Sequence, residues 1–308
     1  MQSTERYVAI SSLPVSVEEA FAYHERPGAL QRLIPPWESV SIESSDGSLE
    51  VGSRVVMKVS AFGISLRWVA EHTAYQPPNL FVDTQVSGPF SSWTHHHEFT
   101  VDGRHARLRD CVDYQIPLGP VGKFFGKGKA SKTLETMFAF RHRVTRDDLS
   151  LLANYPNEPL RVAVSGSTGM VGRHLGHLLG LLGHQVHPLV RSKQAGPDAI
   201  DSRTDSCAIA PWQDDAEVEK LSDVDAVVHL AGKPIAAGRW NQRVKDEIRD
   251  SRVDMTRQLC EALARQSKKP KVLVCASATG IYGDRGDEIL NEHSSAGDDF
   301  LADVVQAW

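Results

Sequence analysis

The chain has little cysteine, no basic excess and no long apolar run. Its 308 residues hold four cysteines, Cys111, Cys207, Cys260 and Cys275, far apart and with no Cys-x-x-Cys pair. That spacing excludes a zinc knuckle and a disulfide framework, and it fits a reducing, cytoplasmic setting. Lys and Arg number 34 against 39 Asp and Glu, a net charge of −5, and the pI is near 6.2. A nucleic-acid binder would carry the opposite excess. No apolar stretch approaches the ~18 residues of a membrane span, and MQSTERYVAI lacks a charged-then-apolar leader pattern. Neither an internal repeat nor a low-complexity tract is present. What is left, 41% hydrophobic and 24% charged residues, is the composition of a soluble globular chain long enough for two domains. The one basic cluster, Lys123, Lys127, Lys129 and Lys132 around Phe124 and Phe125, reads as a solvated loop and helix start, with contact to an anionic ligand as the alternative.

The organising stretch is RVAVSGSTGMVGRHL, Arg161 to Leu175. Val162, Ala163 and Val164 make a run short enough for a buried strand. Gly166, Gly169 and Gly172 follow, with Ser167, Thr168, Met170 and Val171 between them. Val171, Leu175, Leu178 and Leu182 then recur at helical spacing, and Gly183 is a natural stop. Strand, glycine turn and helix form a dinucleotide fingerprint. Gly166 permits the tight turn, Gly169 lets backbone approach a pyrophosphate, and Gly172 lets the helix pack on the sheet. The helix N-terminus favours the anion.

A second strand, His184 to Val190, ends in Arg191, Ser192 and Lys193, where an NAD-binding fold would place an acid about 20 residues past the glycines. A cation there suits a 2′-phosphate, so NADP is expected over NAD. Cys207 to Ala210 reads as a weak third strand, DAVVHLAG (Asp225 to Gly232) as a fourth and Lys271 to Cys275 as a fifth. Between the last two, Val244, Ile248, Ser251, Met255, Leu259 and Ala262 mark one face of a long helix.

SGSTGMVG resembles the glycine motif of the extended short-chain dehydrogenase/reductases, the NAD-dependent epimerase/dehydratase family, and DAVVHLAG resembles their fourth strand. The pattern AG-x-P-I … RW … I-x-x-SR is similar to one atypical epimerase-like subgroup. The resemblance implies that Leu230, Ala231, Gly232 and Ala276 line the cofactor and that Arg239 and Trp240 face the substrate. It also implies that Ser277, with Thr279 second, hydrogen-bonds the reacting oxygen. The family's proton donor, a Tyr with a Lys four residues on, is missing: no Tyr-x-x-x-Lys occurs, and Phe300 and Val304 fall nearest that slot. Tyr282 is a candidate replacement because it lies near the strand end. With five strands where the doubly wound fold has six, this half is expected to be incomplete at its C-terminus. The implied activity is an NADP(H)-dependent oxidoreductase or nucleotide-sugar epimerase-like reaction on a small carbonyl or hydroxyl substrate. The alternative is a non-catalytic NADP(H)-binding protein.

The first half differs. Ser16 and Glu19 form a capping box ahead of AFAYH, and alternating segments follow between turn clusters such as SSDGS, QPPN and VDGR. A helix is expected from about Gly128 to Arg143. The order resembles the START-like (SRPBCC, Bet v 1-like) helix-grip fold, which implies an α+β domain able to hold an apolar ligand. We therefore expect a helix-grip domain over 1–150, a linker around NYPNEP, and a doubly wound parallel α/β (Rossmann-like) domain over 153–308. Trp93, His95, His97, Phe99 and Val101 share one strand face, and Leu108, Asp110, Val112, Tyr114 and Ile116 another. His95, His97 and Asp110 are candidate ligand-facing residues and could serve as acid–base groups. No metal is expected, because His96 must point opposite to its neighbours.

Overall fold

A computed structural model describes residues 4–61, 64–117, 119–155, 158–191, 208–236 and 238–308; of the side chains, those at 61, 119–127 and 129 are not described. Ser192, Lys193, the Cys207 end of the third strand, Pro156 and Asn157 of the linker, and the side chains of Lys123, Phe124, Phe125, Lys127 and Lys129 lie outside the described residues. The chain divides into two compact units, Met1–Asn157 and Glu158–Trp308.

Unit 1 begins with β1 (Glu5–Leu13), α1 (Val17–Glu25) and α2 (Ala29–Arg32). A meander follows: β2 (Val40–Ser45), β3 (Arg54–Ala61), β4 (Ile64–Gln76), β5 (Leu80–Ser87), β6 (Ser92–Asp102) and β7 (His105–Gln115). A long helix, α3 (Gly119–Asn154), completes it. The seven strands form one antiparallel sheet in the order β1-β7-β6-β5-β4-β3-β2. α1 starts where its capping box dictates, with both reciprocal hydrogen bonds between Ser16 and Glu19 in place.

Strand alternation decides the core. On β6 Trp93, His95 and Phe99 are buried, and on β7 Leu108, Asp110, Val112 and Tyr114 are, as the sequence pattern requires; Val101, at the strand end, is 76% exposed. Trp93, Val112 and Tyr114 pack against Leu134 and Phe138 of α3. α3 runs well past Arg143 because its later turns are also anchored. Leu149 is buried, and Asp148 accepts two hydrogen bonds from the Arg32 guanidinium at 2.6 and 3.0 Å and one from the Tyr23 hydroxyl at 3.0 Å. The charged run Arg146, Asp147 and Asp148, just before the NYPNEP stretch, is part of this helix.

Unit 2 holds β8 (Arg161–Ser165), α4 (Met170–Leu181), β9 (Gln185–Leu189), α5 (Asp215–Glu219), β10 (Ala226–His229), α6 (Gln242–Asp250), α7 (Val253–Arg265), β11 (Val272–Cys275) and α8 (Phe300–Ala307). The strands are parallel in the order β11-β10-β8-β9. The third strand is reduced to a single parallel bridge, Leu189 to Ile209, among the described residues. α4 ends in a Schellman arrangement: Gly183, at φ +89°, donates to Gly180 O, and His184 donates to Leu179 O. The expected long helix is two helices, α6 and α7, divided at Ser251–Arg252. Both residues at the joint are occupied elsewhere. Ser251 Oγ accepts from Lys233 N at 2.9 Å, while the Arg252 guanidinium donates to Ile248 O and Lys233 O, each at 3.1 Å.

Candidate functional sites: a glycine turn and a buried histidine–carboxylate cluster

In unit 2 the parallel register aligns the strand ends. Ser165 pairs with Leu189 on one side and His229 on the other, and His229 pairs with Cys275. The residues that follow, Gly166, Arg191, Leu230–Gly232, Ala276 and Ser277, therefore leave the same carboxyl edge. β8 sits between β9 and β10, where the strand order reverses, and that edge is where open α/β sheets bind ligands.

Two glycines of the turn are obligatory. Gly166 has φ +66°, and a Cβ there would lie 2.8 Å from Leu230 O. A Cβ on Gly172 would run into Gly166 O and lie within 2.8 Å of Gly166 C and Ser167 Cα, all backbone atoms. Gly169 is the N-cap of α4 and supplies no side-chain hydrogen bond. The first amides of the helix are thus uncapped, beneath Met170 and Val171, which are 81% and 59% exposed. Bare N–H groups, a positive helix end and a turn without side chains are what a pyrophosphate needs, so the residues fit a dinucleotide.

Behind the turn lies a network the sequence reading missed. Ser165 Oγ accepts from Leu230 N at 3.0 Å and Ala231 N at 3.1 Å, and it lies 2.7 Å from His229 Nδ1. With both lone pairs used, the hydroxyl proton goes to Nδ1. That leaves the proton of the neutral imidazole on Nε2, which donates to Thr256 Oγ1 at 2.9 Å. Burial lowers the His229 pKa, consistent with a neutral ring. A fully buried His at a strand end was the signal available.

The other expected residues divide. Arg191 is exposed two residues beyond β9, and Ser277 and Thr279 are exposed just beyond β11. Tyr282 is half-buried at the end of a short 3-10 turn, Thr279–Tyr282. Arg239 is exposed. Trp240 is exposed too but tethered: its Nε1 donates to Ile235 O at 2.7 Å, and its ring meets Phe300 edge-on at 5.7 Å. Phe300, which with Val304 falls nearest the missing tyrosine in sequence, also has Lys245 Nζ over its ring at 5.1 Å.

Unit 1 gathers a second constellation. His97 pairs across the strands with Asp110, His95 with Asp83, and Asp83 with His72, so all five project from the inner face of the sheet. Asp83 Oδ2 lies 3.2 Å from His95 Nδ1 and 3.4 Å from His97 Nε2. On the far side of both rings Asp110 Oδ1 lies 3.2 Å from His95 Nε2 and 2.8 Å from His97 Nδ1. Asp110 Oδ2 accepts from His142 Nε2 of α3 at 2.7 Å, and His142 Nδ1 reaches Ser11 Oγ at 2.8 Å. Phe81 stacks on His97 at 3.9 Å. Burial works against the charged form of His95, but Asp83 and Asp110 outweigh it and raise its pKa to about 9. Burial also opposes ionisation of Asp83 and Asp110, and the histidines around them hold both carboxyls below the usual range. His24, half-buried on α1 with its ring 6.0 Å from that of His97, is pushed down to about 4 by desolvation. His95, His97 and Asp110 thus come together. Asp83, His72, His24 and His142 join them, and the sequence reading did not include these four.

Comparison with known proteins divides the chain at the same place. Residues 162–300 match the model of the NAD dependent epimerase/dehydratase family. Residues 13–138 match that of polyketide cyclase/dehydrase and lipid transport proteins. The epimerase family protein YfhF of Bacillus subtilis is 34% identical over 152 residues, 48% of each chain. The human epimerase family protein SDR39U1 is 32% identical over 152 residues, 48% of this chain and 47% of that one. The chain spans about half the length of the curated relatives it matches. A solved nucleoside-diphosphate sugar epimerase from Corynebacterium glutamicum is similar across both units: 31% identity and a TM-score of 0.76, covering 98% of this chain and 61% of that one.

Proposed function

For a chain that joins a polyketide-cyclase-type (SRPBCC) domain to an NAD-dependent epimerase/dehydratase domain, we propose NADP(H) binding at the β8–α4 turn and an oxidoreductase or epimerase-like reaction on a carbonyl or hydroxyl substrate. The observation that carries it is the turn itself: Gly166 and Gly172 leave no room for a Cβ, and the α4 amides they present are uncapped. Gly166 to Gly172 would hold the pyrophosphate, Arg191 a 2′-phosphate, and Leu230, Ala231, Gly232 and Ala276 the sugar and nicotinamide side. The nicotinamide, when bound, exchanges hydride with the substrate. Ser277, exposed on the same edge, would orient the reacting oxygen. Thr279 is the second choice for that role, and Tyr282, half-buried five residues beyond Ser277, is the tyrosine that could hold the proton there. The nucleotide-sugar class comes from the name of the Corynebacterium relative.

A binding role without turnover is favoured by one observation: Phe300, which has no proton to give, falls with Val304 nearest the family's tyrosine in sequence and is packed against Trp240. Fluorescence titration of the purified protein with NADPH and NADH tests the common ground, with tighter NADPH binding expected. Failure of both nucleotides to bind would overturn both readings. Binding with no turnover across a panel of nucleotide sugars and carbonyl compounds would favour the second.

A further inference from the structure

Two carboxylates and two histidines on the inner face of the unit 1 sheet pose a charge problem. The carboxylates of Asp83 and Asp110 lie on either side of the His95 and His97 rings, and the Arg141 guanidinium is within electrostatic reach of both. Arg141 donates its Nε–H to Leu33 O at 3.2 Å and is one cation against two carboxylates. Uncompensated buried charge costs several kcal/mol per ion. Either protons on the histidines or a divalent cation must balance it.

The geometry separates the two solutions. Asp83 Oδ2, His95 Nδ1 and His97 Nε2 form a group whose ligand atoms lie within 4.8 Å of one another. Around a metal with bonds of about 2.0–2.2 Å, tetrahedral ligand atoms stand about 3.4 Å apart. The two separations from Asp83 Oδ2, 3.2 and 3.4 Å, match. The opposite nitrogen of each ring faces Asp110 Oδ1, at 3.2 and 2.8 Å. Metal-binding histidines characteristically give their second nitrogen to a carboxylate, which fixes the tautomer and aims the lone pair at the ion. Here Asp110 Oδ1 is hydrogen-bonded to His95 Nε2 at 3.2 Å and lies 2.8 Å from His97 Nδ1, and His142 secures that carboxylate in turn at 2.7 Å. Access remains from the Asp83 side, where the Asp83 and His97 side chains are 19% and 13% exposed against 3% for His95.

We propose that Asp83, His95 and His97 form a binding site for a divalent transition-metal ion, positioned by Asp110. Two imidazoles and one carboxylate suit zinc, iron(II) or cobalt(II) over calcium or magnesium. Three protein ligands leave at least one coordination position for water or for a ligand entering the domain. The carboxylates of Asp83 and Asp110 then balance the ion's two charges.

The test uses the full chain. The protein is stripped with chelator, titrated with Co²⁺ while its visible absorption is followed, and then loaded with Zn²⁺, dialysed and analysed for metal content. One equivalent per chain is expected, with an absorption spectrum typical of nitrogen and oxygen ligands. Asp83→Ala and His97→Ala should abolish retention, while Asp110→Asn should weaken it about 10–100-fold. His96→Ala, on the same strand but the opposite face, should leave it unchanged. Circular dichroism checks folding, and His97→Gln replaces any alanine variant that fails to fold. Failure of the wild-type chain to retain either metal at one equivalent, or retention that survives both Asp83→Ala and His97→Ala, would overturn the proposal.

Discussion

Replacing Gly172 by alanine adds one methyl group, and its effect on stability should part company with its effect on nucleotide binding. The new Cβ would meet Gly166 O and lie 2.8 Å from Gly166 C and Ser167 Cα. These are backbone atoms of the turn, so no side chain can swing away. Against this, alanine in a helix is about 1 kcal/mol more favourable than glycine, and overpacking costs about 1–3 kcal/mol. Net stability should therefore fall by only about 0–2 kcal/mol, because the turn can move off α4. For a nucleotide held by that turn, the whole displacement counts. A penalty of about 2–3 kcal/mol on the binding conformation is roughly a 30–150-fold rise in the NADPH Kd, each 1.4 kcal/mol being tenfold. Gly183→Ala is the control: at φ +89° with nothing within 4 Å of its Cβ, it should cost about 1–2 kcal/mol of stability through backbone strain and leave the Kd unchanged. Fluorescence titration and thermal melts on the two variants decide the matter. An NADPH Kd within twofold of wild type in folded Gly172→Ala protein would refute the assignment of this turn to the pyrophosphate.

Arg191→Ala should raise the NADPH Kd about 10–100-fold, the worth of a hydrogen bond to a charged group, with little change for NADH; equal losses for both would count against a 2′-phosphate contact. Asp148→Ala strips the Arg32 guanidinium and the Tyr23 hydroxyl of their shared buried partner and should cost about 3–5 kcal/mol, read as a lowered urea midpoint. A change below about 1 kcal/mol would mean that solvent reaches the pair. His229 is buried with its pKa lowered, whereas an unfolded His titrates near ~6.5. Its contribution to stability is thus present above that value and lost as pH falls toward the folded pKa. His229→Gln should flatten the decline in unfolding free energy between pH 7 and 5 by up to about 1.4 kcal/mol per pH unit, and an unaltered slope in denaturant titrations would show that the ring is protonated in place.

How much of this was legible depends on whether the deciding contact is local. The β8–α4 turn is a local object: strand, glycines and helix lie within Arg161 to Leu182, and the glycines announce a backbone approach that no other residue allows. The inner faces of β6 and β7 could be read from alternation, which brought out His95, His97 and Asp110. Asp83 shares that parity on β5, next to Phe81, but only the pairing of Asp83 with His95 makes it a member of the cluster. His142 arrives from a helix 32 residues beyond Asp110 in sequence, and periodicity carries no trace of that meeting. Asp148 shows the same limit from the other side. Three charges in a row look solvated until Arg32, 116 residues earlier, proves to be the partner. The division of α6 from α7 was invisible because the apolar stripe continues across the joint, while the hydrogen bonds that break the helix go to Lys233.

The order of strands in unit 1 also governs when the domain can fold. β2 through β7 are neighbours in sequence as well as in the sheet and can pair successively as they are made. β1 cannot. Its partner is β7, with Leu13 opposite Ala106 and Glu5 opposite Tyr114, so about 100 residues must be synthesised before its first ladder bond can form. At roughly 5–20 residues per second that is a wait of about 5–20 s on the ribosome. Through it a strand whose alternate residues are destined for the core stays solvated, and closing so long a loop slows the final step further. Of the seven strands, β1 is the first to be made and the last to find its partner.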